Sequence, residues 1–199
     1  MNKLSSTAKI YIISTILIGL GLIGWMVVEL DWAKPGFYLL AALGAVAQTL
    51  KVEGPDDRTN YSIAWFVYGF TFIALGPAAA VFVVVVSHLV EWVWHKYPWY
   101  IQSFNIGAHI IPVFLSGLVF EAVSRGINVA DLNGALGLAA ASLIFVFGNH
   151  FLVGVVVKLA RGQSFAESGV FGLFTLFLDF TVLTMGAVTQ AFEEEFASF

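Results

Sequence analysis

The chain has 199 residues, of which 59% are apolar and only 11% charged, with a net charge of -4 and a mean hydropathy of +0.89. A soluble domain carries roughly a quarter charged residues, so water could not solvate the outside of this chain, whereas lipid can. The absence of cysteine excludes disulfides, CxxC redox chemistry, thiolate metal sites and covalent haem attachment, and without a basic tail or stripe nucleic acid is excluded as a partner.

Seven apolar stretches follow one another along the sequence. Backbone hydrogen bonding in lipid permits only helices or closed barrels, and runs this long and unalternating predict helices. The expected fold is all-α: one polytopic transmembrane bundle over residues 1–199, of about seven helices, or six if segment 2 or 3 stops short of spanning. Met1–Lys9 is short and weakly basic, and no A-x-A-like cleavage site follows, which predicts a retained first helix.

Segment 1 covers about Ile10–Val28, with Trp25 and Trp32 where aromatic rings favour the lipid–water boundary. Segment 2 covers about Pro35–Leu50, and Pro35 suits a first helical turn, which has no use for its N–H. The link Lys51–Asn60 is the most polar stretch and is expected in water. Segment 3 covers about Tyr61–Leu75, and Gly76-Pro77 turns the chain directly into segment 4, about Ala78–Trp94. Segments 2 and 3 amount to about 24 Å of helix each, less than the roughly 30 Å of hydrocarbon.

Trp92, Trp94, Tyr97, Trp99 and Tyr100 surround the next turn as an interfacial belt. Segment 5 covers about Ile101–Val123, with a kink predicted at Pro112. Segment 6, about Leu132–Val157, opens with Gly134, Gly137, Ala139, Ala140, Ala141 and Ser142, small residues that allow close helix approach in lipid. A short loop, Lys158–Ser168, leads to segment 7, about Gly169–Phe192, and then to Glu193-Glu194-Glu195.

With the N-terminus in the cytoplasm and seven crossings, Lys3, Lys9, Lys51, Arg58, Lys96, Lys158 and Arg161 fall inside and Lys34 and Arg125 outside. Seven against two fits the positive-inside rule. The acidic C-terminus is then expected outside, in a plasma membrane, with no cytoplasmic output module at that end.

Ionisable groups in hydrocarbon are costly and need a reason. They are His88, Glu91, His109, His150 and Asp179, with the amides Asn105 and Asn149. His88 and His109 lie equally far from the turn at Tyr97–Pro98, as do Glu91 and Asn105, and His150 sits eight residues before Lys158. This predicts three histidines in one layer on three successive helices. One reading is a pocket that binds a ligand, metal or haem, or relays protons, since histidine titrates near neutral pH and is the commonest metal ligand. The other is hydrogen-bonded packing between helices. Asp179 is either a switchable proton or ligand contact, or a neutral acid bonded to Asn149 or a backbone carbonyl. His95 reads as interfacial, and Glu121 with Arg125 as a rim ion pair.

Gly19, Gly21 and Gly24 spell G-x-G-x-x-G, but a dinucleotide loop needs a strand before it. Inside an apolar helix they read as a packing surface. Segment 7 has no lysine for a retinal Schiff base, and neither a phosphate loop nor an H-E-x-x-H helix is present. No catalytic constellation emerges, so the chain reads as a non-enzyme.

The stretches Leu75–Tyr100 (LGPAAAVFVVVVSHLVEWVWHKYPWY), Phe104–Phe120 (FNIGAHIIPVFLSGLVF) and Gly148–Gln163 (GNHFLVGVVVKLARGQ) carry a family resemblance. From Tyr61 onward the chain resembles the multi-helix integral-membrane input domains that precede diguanylate cyclase, HD-type phosphohydrolase and histidine-kinase modules in bacteria. The matching positions are Gly76, Pro77, Phe104, Asn105 and Asn149. The resemblance implies a sensory domain that passes a stimulus on by helix repacking. Such domains usually have one more helix and then the enzyme, which this chain lacks, implying a stand-alone relative or part of a longer protein. The helix arrangement also resembles, as a fold analogy only, the vitamin-binding subunits of energy-coupling-factor transporters.

Three functions follow as expectations: a membrane sensor, a transporter-like substrate-binding subunit, or a subunit whose histidines ligate a pigment, haem or metal. The lipid bilayer is the expected partner, with a homodimer or a signalling or transport subunit beside it. Candidate contacts are His88, Glu91, Asn105, His109, Asn149, His150 and Asp179, and the cofactor is left open.

Overall fold

Seven helices follow in chain order in the computed structural model, which describes residues 1, 4–32, 34–53, 60–124 and 132–197. They are α1 (Ser6–Met26), α2 (Pro35–Thr49), α3 (Ala64–Leu75), α4 (Pro77–His95), α5 (Trp99–Ser124), α6 (Leu132–Arg161) and α7 (Leu173–Ala197). Four segments are long and apolar enough to cross a bilayer: Ser6–Glu29, which adds a 3₁₀ turn to α1, and α4, α5 and α6. With 15 and 12 residues, α2 and α3 reach only about 23 and 18 Å. Neither matches a roughly 30 Å hydrocarbon core.

Local chemistry sets the helix ends. Ser5 caps α1 by accepting the Ala8 N–H at 3.2 Å, so α1 starts before the apolar run that defines it in sequence. Gly76 lies at φ 87, in the region that favours glycine, and Pro77 opens α4 directly behind it. Lys96 ends α4 at φ 54, and the turn is closed by Trp92 Nε1–H donating to the Tyr97 carbonyl at 2.7 Å. After α6, the Ser164 N–H and hydroxyl both donate to Glu167 at 2.8 Å, and the Glu167 N–H returns to Ser164 Oγ at 3.2 Å. These bonds hold the exposed Glu167 carboxyl below its usual range.

The polar link expected over Lys51–Asn60 is in part ordered backbone. Lys51–Glu53 (β1) pairs antiparallel with Asn60–Ser62 (β2), with Val52 opposite Tyr61. Bringing the ends of α2 and α3 together places two short runs with β-favouring Val and Tyr side by side. Residues 54–59 lie outside the described residues, as does Arg125 of the expected ion pair with Glu121; Glu121 itself is exposed.

Large apolar side chains face outward, among them Leu17, Leu39, Val93, Leu136, Phe151 and Phe177, while Gln48, His88, Glu91 and Gln102 are buried. This inverts a soluble protein and suits lipid outside. The most extensive helix contacts are α5 with α6 and α3 with α7. Glycine carries the second: a Cβ on Gly69 would strike the Leu183 carbonyl, and one on Gly186 the Phe66 carbonyl. From the G-x-G-x-x-G run only Gly19 packs closely, its Cβ position 2.8 Å from the Gly107 Cα of α5, whereas Gly21 and Gly24 face open space.

Candidate functional site

The carboxyl of Glu91, on the last full turns of α4, gathers donors from three helices. Its Oε2 lies 3.0 Å from His88 Nδ1, one turn earlier on α4. It accepts from Gln102 Nε2 of α5 at 3.0 Å and from Gln48 Nε2 of α2 at 3.1 Å. The Gln102 amide also donates to the His88 carbonyl at 2.6 Å. Gln48 Oε1 in turn accepts from Ser62 Oγ at 3.1 Å and from the Tyr68 hydroxyl of α3 at 3.3 Å. His88, Glu91 and Gln102 are at most 2% exposed. The network is only partly satisfied: Gln102 Oε1 is buried without a hydrogen bond among the described residues.

Nδ1 of His88 is shared between the Glu91 carboxyl and the Gln102 amide nitrogen, which lies 3.2 Å away. Nε2 is buried with no hydrogen-bond partner among the described residues. The His109 ring of α5 lies beside it, centroids 4.6 Å apart. His109 itself donates from Nδ1 to the Asn105 carbonyl at 2.9 Å, the i−4 position of its own helix.

A second pair repeats the pattern. His150 Nε2 of α6 lies 2.8 Å from Asp179 Oδ2 of α7, and His150 Nδ1 is buried without a hydrogen-bond partner among the described residues. Trp65 of α3 links His150 to His109, which in turn lies against His88: the Trp65 ring is 5.9 Å from His109 and 6.1 Å from His150. His88, Glu91, His109, His150 and Asp179 therefore lie in one connected layer, while His95 is outside it, exposed and stacked on Tyr97 at 5.5 Å.

Two sequence-predicted residues are elsewhere. Asn105 lines a groove between α1, α5 and α6, because three residues beyond Gln102 rotate it about 60° around α5. Asn149 does not hold Asp179, whose partner is His150; its Nδ2 donates to the Ala108 carbonyl at 3.1 Å. That carbonyl is the one orphaned by Pro112, four residues on, which has no N–H to give it. The helix α5 runs through Pro112, and Gly148 leaves room for its ring, at 3.1 Å from the position a Cβ would take.

Gln48, Gln102, Tyr68 and Trp65 were not marked by sequence reasoning. Both glutamines fall within a turn of a helix end, where polar residues ordinarily meet water. Their signal is that Gln can serve as donor and acceptor at once, which a lone buried glutamate requires. Among the described residues no three His, Asp or Glu side chains converge as a metal cage would.

The fold and its interior thus define a helical membrane protein with a buried imidazole–carboxylate layer. The chain matches no family model, no curated protein and no solved structure.

Proposed function

We propose that this chain is a membrane-embedded sensory domain in which proton occupancy of the buried layer selects between two helix packings. One observation carries the reading: His88 and His150 each commit one ring nitrogen to a carboxylate and keep the other buried without a hydrogen bond among the described residues. A proton arriving at that nitrogen changes the charge of a pair that ties two or more helices together. Among the described residues, the ionisable groups that meet His88 directly or through Gln48 include Glu91, His109 and Tyr68; beside His150 lies Asp179. The two charge states favour different packings, which is the differential interaction a switch requires.

The resemblance to bacterial input domains supplies the direction of output, from repacked helices to a signalling module. The seven-to-two division of basic residues supports a cytoplasmic N-terminus in a bacterial plasma membrane.

The test uses the absence of native cysteine. Spin labels on cysteines replacing the exposed Leu43 of α2 and Phe151 of α6 report the distance between these helices in nanodiscs. Two distance populations are expected, exchanging weight as the pH is lowered and merging into one in His88→Phe, with Glu91→Gln intermediate. A single population, unmoved by pH, overturns the reading.

A further inference from the structure

Away from the layer, α1, α5 and α6 enclose a groove of about 390 Å³, within the roughly 300–1,000 Å³ typical of small-molecule sites. Ile12, Phe104, Val153 and Val156 form its walls. The helices cannot simply slide together to erase it, because the Tyr11 hydroxyl donates to the Leu152 carbonyl at 3.0 Å and fixes α1 against α6.

Besides the Tyr100 phenol, two polar side chains interrupt the apolar lining, Asn105 within it and Arg161 at the end of α6. Arg161 is exposed and forms no ion pair among the described residues. The neighbouring cation Lys158 is differently placed, 5.8 Å from the Phe165 ring centre. Asn105 accepts at its carbonyl from His109, and its side-chain amide makes no hydrogen bond among the described residues. An apolar trough in a bilayer fills with hydrocarbon rather than water, and a cation at its mouth selects which amphiphile stays.

We propose that the groove binds one acyl chain of an anionic phospholipid, with the phosphate on Arg161 and the ester region at the Asn105 amide. Charge complementarity fixes the occupant. Basic pockets between transmembrane helices hold anionic head groups in this way, and guanidinium–phosphate bonds are charge-assisted. The site does not require the sensory reading, since its test reads retention and not helix movement.

The protein is reconstituted in vesicles of equal phosphatidylglycerol and phosphatidylcholine, extracted in mild detergent and weighed by native mass spectrometry. One phosphatidylglycerol per chain is expected to survive extraction. Arg161→Gln lowers that retention about tenfold, the factor one charge-assisted bond carries, and Lys158→Gln leaves it unchanged. Val156→Trp, which fills the trough, expels both lipids. Equal retention of the two lipids by the unmodified chain, undiminished phosphatidylglycerol in Arg161→Gln, or preferred uptake of added palmitate over phosphatidylglycerol would each overturn the proposal.

Discussion

A proline inside a helix removes one donor and leaves the carbonyl four residues earlier without its partner. In water that carbonyl would be hydrated, but in lipid a protein group must serve it. Asn149 does so for Ala108. Replacing Asn149 by Leu is therefore expected to cost about 1–2 kcal/mol, measured by unfolding in mixed micelles. In a Pro112→Ala background the loss should shrink to a few tenths, because alanine at that position would supply the missing N–H. An equal loss in both backgrounds would show that Asn149 does not serve this carbonyl. The pairing also marks what was readable beforehand. Distance from a turn sets depth, which a sequence contains, so His88, His109 and His150 could be placed in one layer. Rotation about each axis is not contained there. Depth alone therefore matched Glu91 to Asn105, where the structure joins it to Gln102, and offered Asn149 to Asp179, where the partner is His150.

Helix positions were largely legible because the apolar runs are long and their ends are punctuated, as at Gly76-Pro77. The β1–β2 ribbon was not, since three-residue strands depend on two helix ends meeting. Nor was the seam between α3 and α7, because a glycine that packs and a glycine that faces lipid look alike in sequence. The structure separates them. Gly69→Ala would push a methyl group into the Leu183 carbonyl, and overpacking of this kind costs about 1–3 kcal/mol or more. Gly21→Ala meets nothing within 4 Å and relieves the backbone entropy of a mid-helix glycine, a gain of about 0.5–1 kcal/mol. Thermal unfolding followed by circular dichroism in detergent should move down for the first and up for the second. Movement in the same direction would mean that the seam is not where α3 gains its stability. The point matters for α3 in particular: at 12 residues it is too short to be held by the bilayer and depends on its neighbours.

Which helix ends share a side of the bundle follows from contacts. Gln48 near the end of α2, Glu91 near the end of α4 and Gln102 near the start of α5 meet at one carboxyl. Ser5, ahead of α1, donates to Leu159 near the end of α6 at 3.5 Å, and Leu4, Tyr100 and Arg161 line one groove. The starts of α1 and α5 and the ends of α2, α4 and α6 thus gather at one face. Lys9, Lys51, Lys96, Lys158 and Arg161 belong to these ends. Because the chain has no cysteine, single thiols can report their side of the membrane without background. Ser5→Cys and Ser164→Cys should be blocked together by one impermeant reagent, and Gly36→Cys, at the start of α2 and facing open space, only by reagent from the opposite side. By the positive-inside rule the first pair should react from the cytoplasm, in inverted vesicles but not in intact cells. Reaction of all three from the same side would break the alternation itself. Reversed sidedness with alternation intact would leave the bundle standing and remove only its orientation.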